Sequence, residues 1–200
     1  MLERIIQIDQ EIFLMFNQGA SNAIFDWLLP ILRNPFTWAP LYLFLVIFFI
    51  KHYGKVGILI VAVTLVNFGV SDGISSHLIK KTVKRVRPCN DETFKQNINL
   101  RVRCSGGYSF TSSHATNHFA MAFFWIVLFR RRWKHVFWLG FLWAFMISIS
   151  QVYVGVHYPL DILFGALLGT GIGVLNGYLF HRFFPNLLTP KHQNTVTTTI

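Results

Sequence analysis

The sequence predicts an all-α polytopic membrane bundle of about five transmembrane spans, with a sixth as an alternative and amphipathic helices at the interface ahead of them. Two observations carry this reading. Of the 200 residues, 53% are hydrophobic and 13% charged, with 21 phenylalanines and a mean hydropathy of +0.46, which is too apolar for a soluble domain of this length. The apolar residues also run in long blocks, several of them able to cross a hydrocarbon layer of roughly 30 Å as helices.

Residues 1–34 set Arg4, Asp9, Glu11, Asp26 and Arg33 among Ile5, Ile6, Ile8, Ile12, Phe13, Phe16 and Leu28. Such a mixture suits helices lying in the interface. Glu3, Asp9 and Glu11 interrupt the apolar run that a cleavable signal peptide needs, so none is expected. The alternative sixth span is the short segment 23–32. The predicted spans are 36–50, 56–79, 115–129, 136–149 and 160–184, joined mostly by short linkers without repeats or a nucleotide-binding glycine loop. Residues 1–190 read as one domain, and the threonine-rich tail, 191–200, as disordered. In the last span Gly165, Gly169, Gly173 and Gly177 recur every fourth residue, a flat stripe for close helix packing within the bundle. Asp72 is an unusual carboxylate for a span; it can reach the face of Lys80 or bind Ser and Asn side chains of a neighbouring helix.

Three polar stretches stand at the ends of these segments. Lys80 and Arg87 are seven residues apart, which places both cations on one side of a continuous helix end stopped by Pro88. Ser112-Ser113-His114 opens the third span, where a hydroxyl and free backbone N–H groups can cradle an anion. His157 and Asp161 are four apart, so the carboxylate can hold one imidazole nitrogen and leave the other free. Together these groups suffice for phosphoryl transfer without a metal. Lys81, Lys84 and Arg85, by contrast, read as cations snorkelling to the headgroups.

The stretches resemble the three motifs of the type 2 phosphatidic acid phosphatase (PAP2) superfamily, membrane lipid phosphatases related to vanadium haloperoxidases. Lys80 to Pro88 matches the first motif without alteration; Thr111-Ser112-Ser113-His114 keeps the Ser and His of Pro-Ser-Gly-His; Ser150-Gln151 with His157 and Asp161 matches the third except that Gln151 replaces its Arg. The resemblance implies a haloperoxidase-like helical core in which His157 attacks phosphorus to give a phosphohistidine. It further implies that Asp161 orients His157, that His114 protonates the departing oxygen, and that Lys80, Arg87, Ser112, Ser113 and Gln151 bind the phosphate. Gln151 offers only a neutral amide where the family has a full charge. Arg101 and Arg103, close in sequence to Ser112, are candidates to compensate. His114 and His118, also four apart, suggest a zinc site with His157 and Asp161, but the Glu of the helical zinc-protease pattern is absent. His118 therefore reads as a packing residue or a support for the site; His77 has no evident partner.

Cys89 and Cys104 both lie in the loop between the first two motifs. They can close a disulfide loop of about fifteen residues, stabilising by roughly 3 kcal/mol, or remain free thiols in a cytoplasmic loop; two cysteines alone make no metal site. Basic residues divide between the two membrane faces. Lys51, Lys55, the Arg130–Lys134 turn, Arg182 and Lys191 fall on one side, and Lys80, Lys81, Lys84, Arg85, Arg87, Lys95, Arg101 and Arg103 on the other. The tie is broken by chemistry, since the second set faces an anionic substrate; the resemblance likewise implies a bacterial cytoplasmic membrane with the site on its outer face. The formal charge of +10 would suit nucleic acid, but the cations are interleaved with spans, and that partner is rejected. The expectation is a cofactor-free, metal-independent phosphatase acting on a phosphorylated lipid such as undecaprenyl pyrophosphate, phosphatidylglycerol phosphate, phosphatidate or lipid A. The alternative is a non-catalytic membrane protein that binds or transports phospholipid, its site degenerate at Gln151. The oligomeric state is left open.

Overall fold

The computed structural model describes residues 1–185; the tail expected to be disordered lies outside them. The chain is helical: α1 (Leu2–Leu14), α2 (Ala23–Arg33), α3 (Ala39–Tyr53), α4 (Lys55–Val83, through a π-helical stretch at Gly73–Ile79), α5 (Ser113–Phe129), α6 (Val136–Tyr153) and α7 (Pro159–Phe183). Four segments are long and apolar enough to cross a membrane: Pro35–Tyr53, Lys55–Val83, Val136–Tyr153 and Pro159–Phe183. The remaining predicted span, the third in chain order, is α5, whose 17 residues rise about 26 Å and fall short of a full crossing. The protein is a multi-pass membrane protein. With 11 residues, and so about 16 Å long, α2 is too short to supply a sixth span.

At the centre, α5 has most of its residues buried and packs mainly on α7 and α6. The glycine stripe makes the α5–α7 approach: a Cβ at Gly165 would lie 2.8 Å from the Ser112 carbonyl, and one at Gly169 or Gly173 would overlap the carbonyls of Thr116 or Ala120. The stripe thus serves packing inside the bundle, and it brings the start of α5 beside the start of α7. Asp72 takes the second of its two readings, accepting from Asn117 Nδ2 (3.0 Å) and Ser76 Oγ (3.2 Å).

The N-terminal region departs from a simple interfacial helix. Ile5, Ile6, Ile8 and Ile12 are exposed, while Asp9 is 2% exposed and points inward. Asn17 then ties the end of α1 to the loop and to α6, donating to the carbonyls of Asn99 (2.9 Å) and Tyr153 (2.8 Å) and accepting from the Asn99 N–H (2.7 Å). Within the loop, Cys89 and Cys104 form a disulfide with Cα atoms 5.9 Å apart. The first motif is also shaped differently from a continuous helix end. Helix α4 stops at Val83, because Lys84 takes a left-handed conformation at φ 52°, ψ 32°. Arg87 is extended at φ −73°, ψ 150°, as a residue before proline prefers, so it reaches the site from a loop and not from the helix face it would share with Lys80.

Candidate active site

Three chain segments meet at His157. The turn after α6 carries the imidazole, the first turn of α7 carries Asp161, and the loop before Pro88 brings Arg87. His157 is 2% exposed and Asp161 fully buried. The carboxylate is a helix N-cap partner as well as a site group: Oδ2 accepts from the Tyr158 backbone N–H at 2.8 Å, closing a capping box at the start of α7.

The contacts of His157 select its neutral tautomer. Arg87 Nη1 lies 3.1 Å from Nε2, and a guanidinium can only donate, so Nε2 carries the lone pair and Nδ1 the proton. Nδ1 lies 3.3 Å from Ser109 Oγ, and the Ser109 hydroxyl donates to Asp161 Oδ2. Nδ1 itself is 3.6 Å from that oxygen, beyond hydrogen-bond range, so the predicted His–Asp link runs through Ser109. The result is a buried imidazole with its lone pair directed at a guanidinium. Burial holds the His157 pKa down at about 4 although Asp161 opposes the shift, so the ring is neutral at neutral pH. Burial likewise lowers the Arg87 pKa from its ordinary value, with Asp161 opposing and the Arg33 charge adding to the fall.

Arg85 corrects the snorkelling expectation. Its guanidinium reaches Asp161 Oδ1 at 2.8 Å and Asp9 Oδ2 at 2.5 Å, and lies 4.1 Å over the Tyr158 ring. Burial works against its charge, but Asp161 and Asp9 outweigh it and raise the pKa. Lys81 and Lys84 are exposed, as expected.

Around the imidazole, several polar atoms are buried without a partner: Arg87 Nε, Ser112 Oγ and Gln151 Oε1. Ser112 occupies the N-cap position of α5 yet makes no capping hydrogen bond, and its N–H is spent on the Asp161 carbonyl at 3.0 Å. Two of these, Arg87 Nε and Ser112 Oγ, are donors, and beside the open N–H groups of a helix start they suit an anion, whereas Gln151 Oε1 can only accept. Ser113 is drawn the other way, to Ser76 Oγ (2.8 Å) and Ser75 Oγ (3.2 Å). Gln151 is fully buried and makes a single long contact, 3.5 Å to the Ile147 carbonyl.

His114 lies one turn before His118 on α5, their rings parallel with centroids 6.3 Å apart. His118 is engaged at both nitrogens, Nδ1 by the His114 carbonyl (2.8 Å) and Nε2 by Tyr42 Oη (3.1 Å), which makes it a packing residue. Among the described residues no three His, Cys, Asp or Glu side chains converge as metal ligands. His77 is exposed.

Neither compensating candidate is brought to the site. Arg101 donates to Asp26, to the carbonyls of Asn17 (2.8 Å) and Tyr153 (2.9 Å) and to Ser21 Oγ (2.8 Å), and stacks 4.0 Å over the Tyr153 ring. It locks the loop to α2 and α6. Arg103 is exposed. Sequence reasoning missed Ser109, Arg85 and Asp9, whose partners lie 52, 76 and 151 residues away, a separation that leaves no local spacing to read.

Beside the site, α3, α4 and α5 enclose a cavity of ≈470 Å³ with an apolar wall that includes Tyr42, Phe49, Leu65 and Met121, and with His114 and Asp72 on its lining.

A model of the PAP2 superfamily matches residues 55–186. The lipid A 4'-phosphatase of Bacteroides thetaiotaomicron is 33% identical over 97% of this chain and 84% of its own length. An undecaprenyl-diphosphatase of Sulfolobus acidocaldarius is 32% identical over 87% of this chain and 79% of its own. Among solved structures, a transmembrane PAP2-type phosphatidylglycerolphosphate phosphatase from Bacillus subtilis superposes with a TM-score of 0.66 at 20% identity, covering 89% of this chain and 87% of that one. That structure bears on the fold alone.

Proposed function

The chain belongs to the PAP2 superfamily, and on that premise we propose that it is a membrane lipid phosphatase whose nucleophile is Nε2 of His157. The single observation carrying the proposal is the neutral, buried imidazole with its Nε2 lone pair held against Arg87, surrounded by orphaned donors. A phosphate would take the place of the Arg87–His157 contact, gaining Arg87, Lys80, Ser112 Oγ and the first N–H groups of α5.

The roles are those the family resemblance implies, and the donors and acceptors about His157 support them. Nε2 attacks phosphorus, the bond from phosphorus to the lipid oxygen breaks, and His114 gives its proton to that oxygen. The proton on Nδ1 stays with His157, where Ser109 and Asp161 support the resulting positive charge. Water then attacks the phosphohistidine, His114 takes the proton, and the N–P bond breaks to free inorganic phosphate. Lys80 and Arg87 face the charge on the equatorial oxygens. Gln151 adds at most a neutral hydrogen bond.

The substrate class is a phosphorylated membrane lipid. Within it, lipid A is the first choice, because the relative that matches along 97% of the chain bears that activity in its name. Acyl chains would enter the cavity beside Ser113 and His114, whose wall is mostly apolar. The basic loop side, and with it the site, is assigned to the outer face of a bacterial cytoplasmic membrane, the Arg130–Lys134 turn to the cytoplasm. Residues 1–190 act as one unit in this reading.

The test is phosphate release by the detergent-purified protein from lipid A, undecaprenyl pyrophosphate, phosphatidylglycerol phosphate and phosphatidate, with EDTA present, against His157→Ala. Release that survives EDTA and is lost in the variant is expected. Absence of release from all four lipids, or release abolished by EDTA, would overturn the reading.

A further inference from the structure

The site holds more cationic charge than its carboxylates balance. Asp161 is committed to Arg85 through Oδ1 and to Ser109 and the Tyr158 N–H through Oδ2; Asp9 takes Arg85 and the Leu160 N–H; Asp72 takes Asn117 and Ser76. Among the described residues, no carboxylate forms an ion pair with Lys80, Arg87 or a third cation, Arg33.

Arg33 stands in the last turn of α2. Leu29 and Leu32 pack in one cluster with Cys89, Val154 and Val156. These neighbours are the chain next to Arg87 and His157. Two residues beyond Arg33, Pro35 lines the same cavity as Ser113 and His114. Burial lowers the Arg87 pKa, and the Arg33 charge adds to that fall. Its Nε is buried without a hydrogen-bond partner, the same condition as Arg87 Nε and Ser112 Oγ. Leaving a buried charged donor unmade costs more than a neutral one. Three such donors come from three separate parts of the chain, two of them beside the His157–Asp161 pair, and together they match a dianion with several acceptor oxygens.

We propose that Arg33 binds the substrate phosphate from α2 and supplies the positive charge that Gln151 does not. The inference rests on the phosphatase reading, and it places an essential group outside residues 55–186, the part matched by the family model. Helix α2 is then more than an interfacial element: it is the wall that closes the phosphate site.

The test is binding of inorganic phosphate by the full-length protein in detergent, followed by calorimetry, for wild type, Arg33→Gln, Arg33→Lys and the exposed control Arg131→Gln, with lipid turnover measured in parallel. Arg33→Gln is expected to weaken phosphate binding about 10- to 100-fold, the range for losing a charged hydrogen bond, and to lower turnover with it. Phosphate affinity in Arg33→Gln equal to that of Arg131→Gln would overturn the proposal. Should Arg33→Gln not fold, Arg33→Met, which keeps the length of the side chain without its charge, decides: weaker phosphate binding at an unchanged Tm supports the contact and unchanged binding overturns it, while Arg33→Lys reports whether the fork or the charge matters. Wild type that binds phosphate but releases none from any lipid would sink the phosphatase reading, while Arg33 still stands or falls on the binding ratio.

Discussion

Arg85 joins two carboxylates from opposite ends of the chain, lying 2.8 Å from Asp161 and 2.5 Å from Asp9. Both carboxylates are almost wholly buried, with side-chain exposures of 0% and 1% against 21% for Arg85. Removing the shared cation leaves two unpaired buried charges. Arg85→Ala should therefore destabilise by about 3–5 kcal/mol and depress turnover, because Asp161 no longer has a fixed orientation beneath Ser109 and His157. Thermal melts and kcat in detergent check this; a variant with wild-type Tm would show that the bridge adds nothing.

His157 should remain neutral far below the ordinary imidazole range. Its folded pKa of about 4 lies under its ordinary value of 6.5, so between those values the unfolded chain binds the extra proton and folding opposes it. The stability arising from this group is present above pH 6.5 and is lost as pH falls toward 4, amounting to about 3 kcal/mol at 1.4 kcal/mol per pKa unit. Imidazole NMR of the detergent-solubilised protein should find the His157 resonance, identified by its absence in His157→Ala, titrating near 4. A midpoint at or above 6.5 would contradict the burial account.

The glycine stripe gives a paired test on one helix. A Cβ at Gly169 would overlap the Thr116 carbonyl, whereas one at Gly171 meets nothing within 4 Å. Gly169→Ala should force α5 and α7 apart and destabilise by about 1–3 kcal/mol, since overpacking against backbone has no flexible side chain to absorb it. Gly171→Ala should be neutral or slightly stabilising on helix propensity alone. Equal melting temperatures for the two variants would remove the close approach as a determinant of the site.

Much of the site was legible because its residues obey short local spacings. Lys80, Arg87, Ser112, His114, His157 and Asp161 stand at the ends of apolar blocks, where helices stop and backbone groups are open. Disulfide formation was open in the sequence, since spacing says nothing about whether two sulfurs meet; the loop brings them together. Arg85, expected to snorkel, instead pairs with Asp161 and Asp9. A cation beside a span has the same local pattern whether it reaches for lipid headgroups, for a substrate, or for a carboxylate dozens of residues away.

What the sequence determined by itself is the membrane setting, the helical class, the long apolar segments and the residue types of the candidate site, all of which depend on composition and on separations of a few residues. Tertiary structure decided the rest: that Ser109 stands between His157 and Asp161, that Arg85 ties α1 to α7, and that α2 packs Leu29 and Leu32 against Cys89, Val154 and Val156. Each depends on how closely α5 and α7 approach and on where the loop crosses them. Those positions are set by packing between distant segments, and no local pattern encodes them.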